Sequence, residues 1–164
     1  MLAVCNTSPI SNLASIGRLD LLPAQFAQVW IPRAVADELS AHPDSAAKVL
    51  IQSALNAGWL QIQSVEESAS LKMLQAQLHI GEAEAIALAL SKKADKVLID
   101  EKEGRRIAIQ CGISVTGVLG ILLRAKLIGQ IEYIQPEIEK LRSLAGFYIA
   151  PSLSAKVLRM SGEG

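Results

Sequence analysis

GEAEAIALALSKKADKVLIDE, residues 81–101, contains a helix that is apolar on nearly every side, a short apolar strand and an acid where that strand ends. From Ala83 to Leu90 no polar stripe interrupts the helical pattern, so the helix predicted over Glu82 to Lys92 belongs in the middle of the fold. Gly81 is expected to break the preceding helix, and Lys96 to Ile99 reads as the next strand. The same alternation continues in both directions. Upstream, Leu2 to Cys5 and Val29 to Ile31 are strand candidates, with Leu60 to Val65 a further short one. Helices are predicted from Pro9 to Ile16, from Pro32 through Ser40, over Asp44 to Asn56 and over Glu67 to Leu78, the first opened by Thr7 or Ser8 as cap. Downstream follow a helix from Lys102 to Gln110, a strand from Ile113 to Val115 and a helix from Val118 to Ala125. Two more helices, Pro136 to Ala145 and Pro151 to Met160, flank an extended segment. Strands alternating with helices imply an α/β sandwich around a mainly parallel sheet, formed by one domain over residues 1–164.

Of the 164 residues, 51% are hydrophobic, enough for a substantial core. Sixteen basic residues balance sixteen acidic ones, so any contact with a polyanion must rest on a local patch. Aromatics are only 4%, which argues against base stacking as the main grip on nucleic acid. Cys5 and Cys111 have no metal-like spacing and read as buried free thiols. No basic leader precedes a long apolar run, and no segment approaches the roughly 18 apolar residues of a membrane helix, so a cytoplasmic location without membrane contact is expected. A dinucleotide-binding enzyme is disfavoured because no glycine-rich turn follows Leu2 to Cys5.

Three isolated acids, Glu38, Glu82 and Asp100, fall where an apolar strand or helix meets a loop, and the fourth such place carries Asn6. In open parallel sheets ligands collect beyond the carboxyl ends of the strands, and Asn6 and Asp100 both lie there. Hard divalent cations such as Mg2+ or Mn2+ need oxygen ligands, and they activate water and neutralise phosphodiester charge during in-line attack. A plainer account has Asp100 capping the next helix, Glu82 complementing a helix dipole and Glu38 solvated.

The ordered segments Asn6-Thr7-Ser8-Pro9-Ile10, Ile31-Pro32-Arg33-Ala34-Val35-Ala36-Asp37-Glu38-Leu39, Gly81-Glu82-Ala83-Glu84-Ala85-Ile86-Ala87-Leu88-Ala89, Val97-Leu98-Ile99-Asp100-Glu101, Gly104-Arg105-Arg106 and Val115-Thr116-Gly117-Val118-Leu119-Gly120 together resemble a PIN domain. The likeness is to the small prokaryotic PIN-like proteins related to VapC toxins. It implies a three-layer α/β/α sandwich and metal-dependent RNA cleavage by clustered acids, with an antitoxin as inhibitory partner. Carried over by position, the resemblance makes Glu38, Glu82 and Asp100 catalytic acids and metal ligands, with Asn6 where the first aspartate usually stands. Glu84 is the alternate to Glu82, but the two are about 200° apart on a helix and cannot both aim at one ion. Glu82 is preferred because its stripe continues through Ala85, Ile86 and Ala89. Asn6 supplies an oxygen but no charge, so metal affinity is expected to fall unless Glu101 or Glu103 restores charge nearby.

For RNA contact the candidates are Ser8, Arg105 and Thr116. The hydroxyls of Thr7, Ser8 and Thr116 would orient a carboxylate, a water or a phosphate, although capping explains Thr7 or Ser8 equally well. Lys92, Lys93, Lys96, Lys102, Arg105 and Arg106 flank Asp100 in sequence and offer either a phosphate grip or a solvated basic face. His42 and His79 read as surface residues, and Trp30 and Trp59 as core or interface. The large apolar residues of the tail, among them Leu144, Phe147 and Tyr148, are expected to be covered by a second copy in a homodimer, by an antitoxin or by their own helix pair.

Overall fold

The computed structural model describes residues 1–164. Five strands, β1 (Leu2–Cys5), β2 (Gln28–Pro32), β3 (Leu60–Gln63), β4 (Lys96–Leu98) and β5 (Val115–Thr116), form one sheet in the order β3-β2-β1-β4-β5. Every neighbouring pair is parallel. The chain builds outward from β1 through β2 to β3, then crosses back to lay β4 on the other side of β1. Ten helices complete the fold: α1 (Thr7–Ser15), α2 (Leu21–Gln25), α3 (Arg33–Ser40), α4 (Ser45–Ala57), α5 (Ala69–Gln75), α6 (Ile80–Lys92), α7 (Lys102–Gln110), α8 (Val118–Leu127), α9 (Gln135–Ser143) and α10 (Pro151–Ser161).

Each buried strand feeds two cores through its alternation. Ala3, Cys5 and Leu98 face one layer, where they pack with residues of α1, α4, α8 and α9. Val4, Val97 and Ile99 face the other, where α5, α6 and α7 contribute Leu71, Leu74, Ile86, Leu88 and Ile107. Burial on both faces is why these strands read as continuous apolar runs. α6 is the buried helix its composition implies, with Ala83, Ala85, Ile86 and Leu88 fully covered. Its small alanines allow it to lie close over β1, β2 and β4.

Several boundaries differ from the sequence expectation. Gly81 does not break a helix; α6 starts at Ile80, and Gly81 sits in its first turn. Pro32 ends β2 and serves as N-cap of α3, while Pro9 is the third residue of α1 rather than its first, a place where a missing N–H costs nothing. The single turn α2 is too short to show a period. β5 forms at Val115–Thr116 because those residues, and not Ile113, pair with Val97 and Leu98. Cys5 is buried, but Cys111 is exposed at the end of α7, outside both cores. α10 packs on α8, so part of the tail's apolar surface is covered within the chain. No helix is long and apolar enough to cross a membrane.

Candidate metal centre

β1 and β4 are adjacent but their chains depart in opposite directions, so the carboxyl edge between them is the topological switch point at which open parallel sheets hold ligands. Asn6 follows β1 and donates its backbone N–H to Leu98 O at 2.9 Å, which fixes it beside the end of β4. Asp100 and Glu101 follow β4. α1, α3, α7 and α8 begin at this same edge, after β1, β2, β4 and β5, so the positive ends of four helices converge on the acids.

Asp100 does cap a helix, but not the one that follows it. Its Oδ1 accepts the backbone N–H of Val118 at 2.9 Å, the first residue of α8, while Oδ2 is buried with no hydrogen-bond partner. Burial pushes the Asp100 carboxyl up to about 6, with the Val118 N–H opposing, the Glu101 charge reinforcing and the Arg105 charge opposing. Glu82 is only 7% exposed and makes no side-chain hydrogen bond. Burial raises its carboxyl, as do the charges of Glu101 and Glu38, whereas His79 acts the other way. Glu38 is exposed, but Thr7 donates its hydroxyl to Glu38 Oε2 at 2.7 Å and so orients the carboxylate. Asn6, 3% exposed, donates Nδ2–H to Glu101 Oε2 at 3.1 Å.

Glycines make room for these groups. A β-carbon at Gly81 would lie 2.9 Å from Glu38 Oε1 and 3.2 Å from Asn6 Oδ1, so both oxygens converge on the first turn of α6. One at Gly104 would stand 3.4 Å from Glu82 Oε2, and one at Gly117 would collide with Asp100 Oδ1. Gly120 similarly accommodates the Thr116 hydroxyl.

Other predicted residues lie farther from this arrangement or are already engaged. Glu84 leaves the cluster; burial raises its carboxyl, the nearby backbone N–H of Ala34 opposes that, and the charges of Asp37 and Glu67 reinforce it. Ser8 Oγ accepts from Asn12 Nδ2 at 3.3 Å. Arg105 donates to Ile99 O at 2.9 Å, which holds the end of β4 against α7. Arg106 pairs with Glu103, and Lys92, Lys93 and Lys96 lie at the amino end of β4, the opposite edge of the sheet from Asp100. They do not flank the acids in space. His79 is exposed as predicted; it occupies the N-cap position of α6 without a side-chain capping bond and lines a cleft of about 470 Å3 with Gln75, Gln77, Glu82, Glu101 and Glu103. A separate cavity of about 340 Å3 between α3 and α4 has mixed lining, including Ile51, Leu55 and Lys48, and touches none of the site acids.

The donor chemistry fits a hard divalent cation. The free oxygens are carboxylate and amide oxygens, and a buried Asp100 oxygen, the Glu82 carboxylate and Asn6 Oδ1 take no hydrogen bond within the protein. No three Asp, Glu, His or Cys side chains are grouped closely enough to hold an ion together.

A family model described as PIN domain matches residues 2–163. Comparison with curated proteins gives no match. The chain belongs to the PIN domain family, whose members are nuclease-type, nucleic-acid-binding domains that generally depend on a divalent metal.

Proposed function

We propose that this PIN domain is a metal-dependent endoribonuclease hydrolysing RNA phosphodiesters in the cytoplasm, as the toxin of a VapC-like toxin–antitoxin pair. In this reading Glu38, Glu82 and Asp100 hold one or two Mg2+ or Mn2+ ions, with Asn6 Oδ1 as a neutral fourth ligand. The observation that carries it is the set of unpartnered oxygens, buried or oriented, at the switch point between β1 and β4. A divalent cation bound there supplies water activation and charge neutralisation at the phosphodiester. The chain's own groups set the geometry: the Val118 N–H fixes one oxygen of Asp100 and directs the other inward, and the Thr7 hydroxyl aims Glu38. Arg105 uses one donor on Ile99 O, and a guanidinium has five, so the remainder are available to an RNA phosphate. The hydroxyls of Ser8 and Thr116 are proposed as further substrate contacts. Exposed Leu144 and Tyr148 are proposed to meet an antitoxin or a second copy.

A second reading, an impaired nuclease that acts by binding RNA or a protein, is favoured by the neutral amide at position 6. Incubation of the full chain with single-stranded RNA in Mn2+ or Mg2+ separates the two. Wild type is expected to cleave, EDTA to stop cleavage, and Asp100→Asn to slow it by about 100-fold or more, since even groups outside the metal's own shell are worth 10–100-fold. RNA retained intact by wild type in both metals moves the function to binding.

A further inference from the structure

We infer that Asn6 and Glu101 act as a divided ligand, in which Glu101 provides the carboxylate that position 6 lacks and the Asn6 amide holds it in place. The inference rests on the metal-binding part of the function proposed above.

Glu101 is the N-cap of α7, where an acid would ordinarily turn its carboxylate onto the first free N–H groups of its own helix. It makes no such bond. Its Oε2 instead accepts from Asn6 Nδ2 across 95 residues of sequence, at the junction of β1 and β4. Asn6 is buried and cannot swing away, so this bond sets the direction of the Glu101 carboxylate. Glu101 also lines the same cleft as Glu82.

The two ends of the Asn6 amide do different things. Nδ2 points to Glu101, while Oδ1 takes no hydrogen bond and lies beside Glu38 at the first turn of α6. Glu82, 7% exposed and without a hydrogen-bond donor in the protein, opens onto this cleft, where a counter-charge would stabilise its ionised carboxylate. With Glu101 included, this edge of the fold carries four carboxylates and one neutral oxygen, and Glu82 and Glu101 share the cleft. An aspartate at position 6 would replace a donor with a second acceptor and set two carboxylates against each other about 3 Å apart. The amide is therefore matched to Glu101, and restoring an acid at position 6 alone does not improve the site.

The test is Mn2+ binding to the full chain, measured from the spin-resonance signal of free Mn2+, in four proteins: wild type, Glu101→Gln, Asn6→Asp and the double variant. Thermal melts report whether each is folded. Wild type is expected to bind, Glu101→Gln to bind about tenfold more weakly, and Asn6→Asp to bind no more tightly than wild type. The double variant, which returns the charge to position 6 and relieves the repulsion, is expected within about threefold of wild type. Wild-type affinity in Glu101→Gln, tenfold tighter binding in Asn6→Asp, or no Mn2+ binding by wild type overturns the inference. RNA assays on the same proteins keep the two readings apart. Mn2+ binding that follows the pair in a chain that cleaves no RNA retains the divided ligand and removes the nuclease. Metal-dependent cleavage with Mn2+ binding indifferent to Glu101 does the reverse.

Discussion

Asp100 is the residue whose environment has the most direct thermodynamic consequence. A carboxyl raised from 3.8 to about 6 favours the folded state only while it is protonated. That contribution is complete below the ordinary value and is lost as pH rises through about 6. At neutral pH the metal-free protein carries a buried negative charge costing about 3 kcal/mol, the free-energy equivalent of moving the carboxyl from 3.8 to about 6. Asp100→Asn is therefore expected to raise the melting temperature of the metal-free protein at pH 8, with the gain disappearing near pH 4. Saturating Mn2+ should reverse the order, since only the carboxylate binds the ion well. Melting curves at the two pH values, with and without Mn2+, check both signs; an Asp100→Asn protein that is less stable than wild type at pH 8 without metal contradicts this account of Asp100.

At the scale of elements, the first turn of α6 shows stability and function pulling apart. Alanine at helix position 81 is intrinsically better than glycine by up to about 1 kcal/mol. The new methyl group, however, would meet Glu38 Oε1 at 2.9 Å and Asn6 Oδ1 at 3.2 Å. Glu38 is exposed on a flexible arm and swings outward at little cost, so Gly81→Ala is expected to melt within about 3 °C of wild type. Mn2+ affinity and RNA cleavage are expected to fall about 10- to 100-fold, because a ligand displaced by about 1 Å no longer aims at the site. Unchanged Mn2+ binding in a well-folded Gly81→Ala protein would mean that Glu38 is no ligand. The sequence showed this glycine as a helix breaker, since glycine punctuates chains far more often than it makes way for a carboxylate from another helix.

The whole molecule depends on ties between distant segments. Glu137, 2% exposed at the start of α9, pairs with Arg18 at 2.8 Å and Lys140 at 3.5 Å, while its Oε2 is buried without a partner. Arg18 follows α1, so the pair fastens the C-terminal helices to the first β–α unit. Removing it strands a buried charge. Lys140 and the one-third exposure of Arg18 soften the loss, so Arg18→Ala is expected to cost about 2 kcal/mol, a fall of about 6 °C in melting temperature. Mn2+ affinity of the folded protein should not change, because the pair lies away from the acids. A loss of affinity without loss of stability would place Arg18 in the site instead.

The layers were legible from local patterns alone. Strands buried on both faces must be apolar throughout, and a helix covered on every side cannot show a polar stripe; these local patterns made the alternation around β1, α6 and β4 legible. The same patterns placed Asn6 and Asp100 at strand ends, because apolar runs stop where the chain leaves the sheet. The strand order, the turning of Glu84 toward α3, the binding of Asp100 to α8 rather than α7, and the bond from Asn6 to Glu101 emerge only from long-range packing. It likewise put Lys92, Lys93 and Lys96 at the far edge although they are near Asp100 in the chain. Periodicity acts within one element, over a few residues. The contacts that orient the site join residues up to 95 apart, and their geometry exists only once β4 has crossed over to pair with β1.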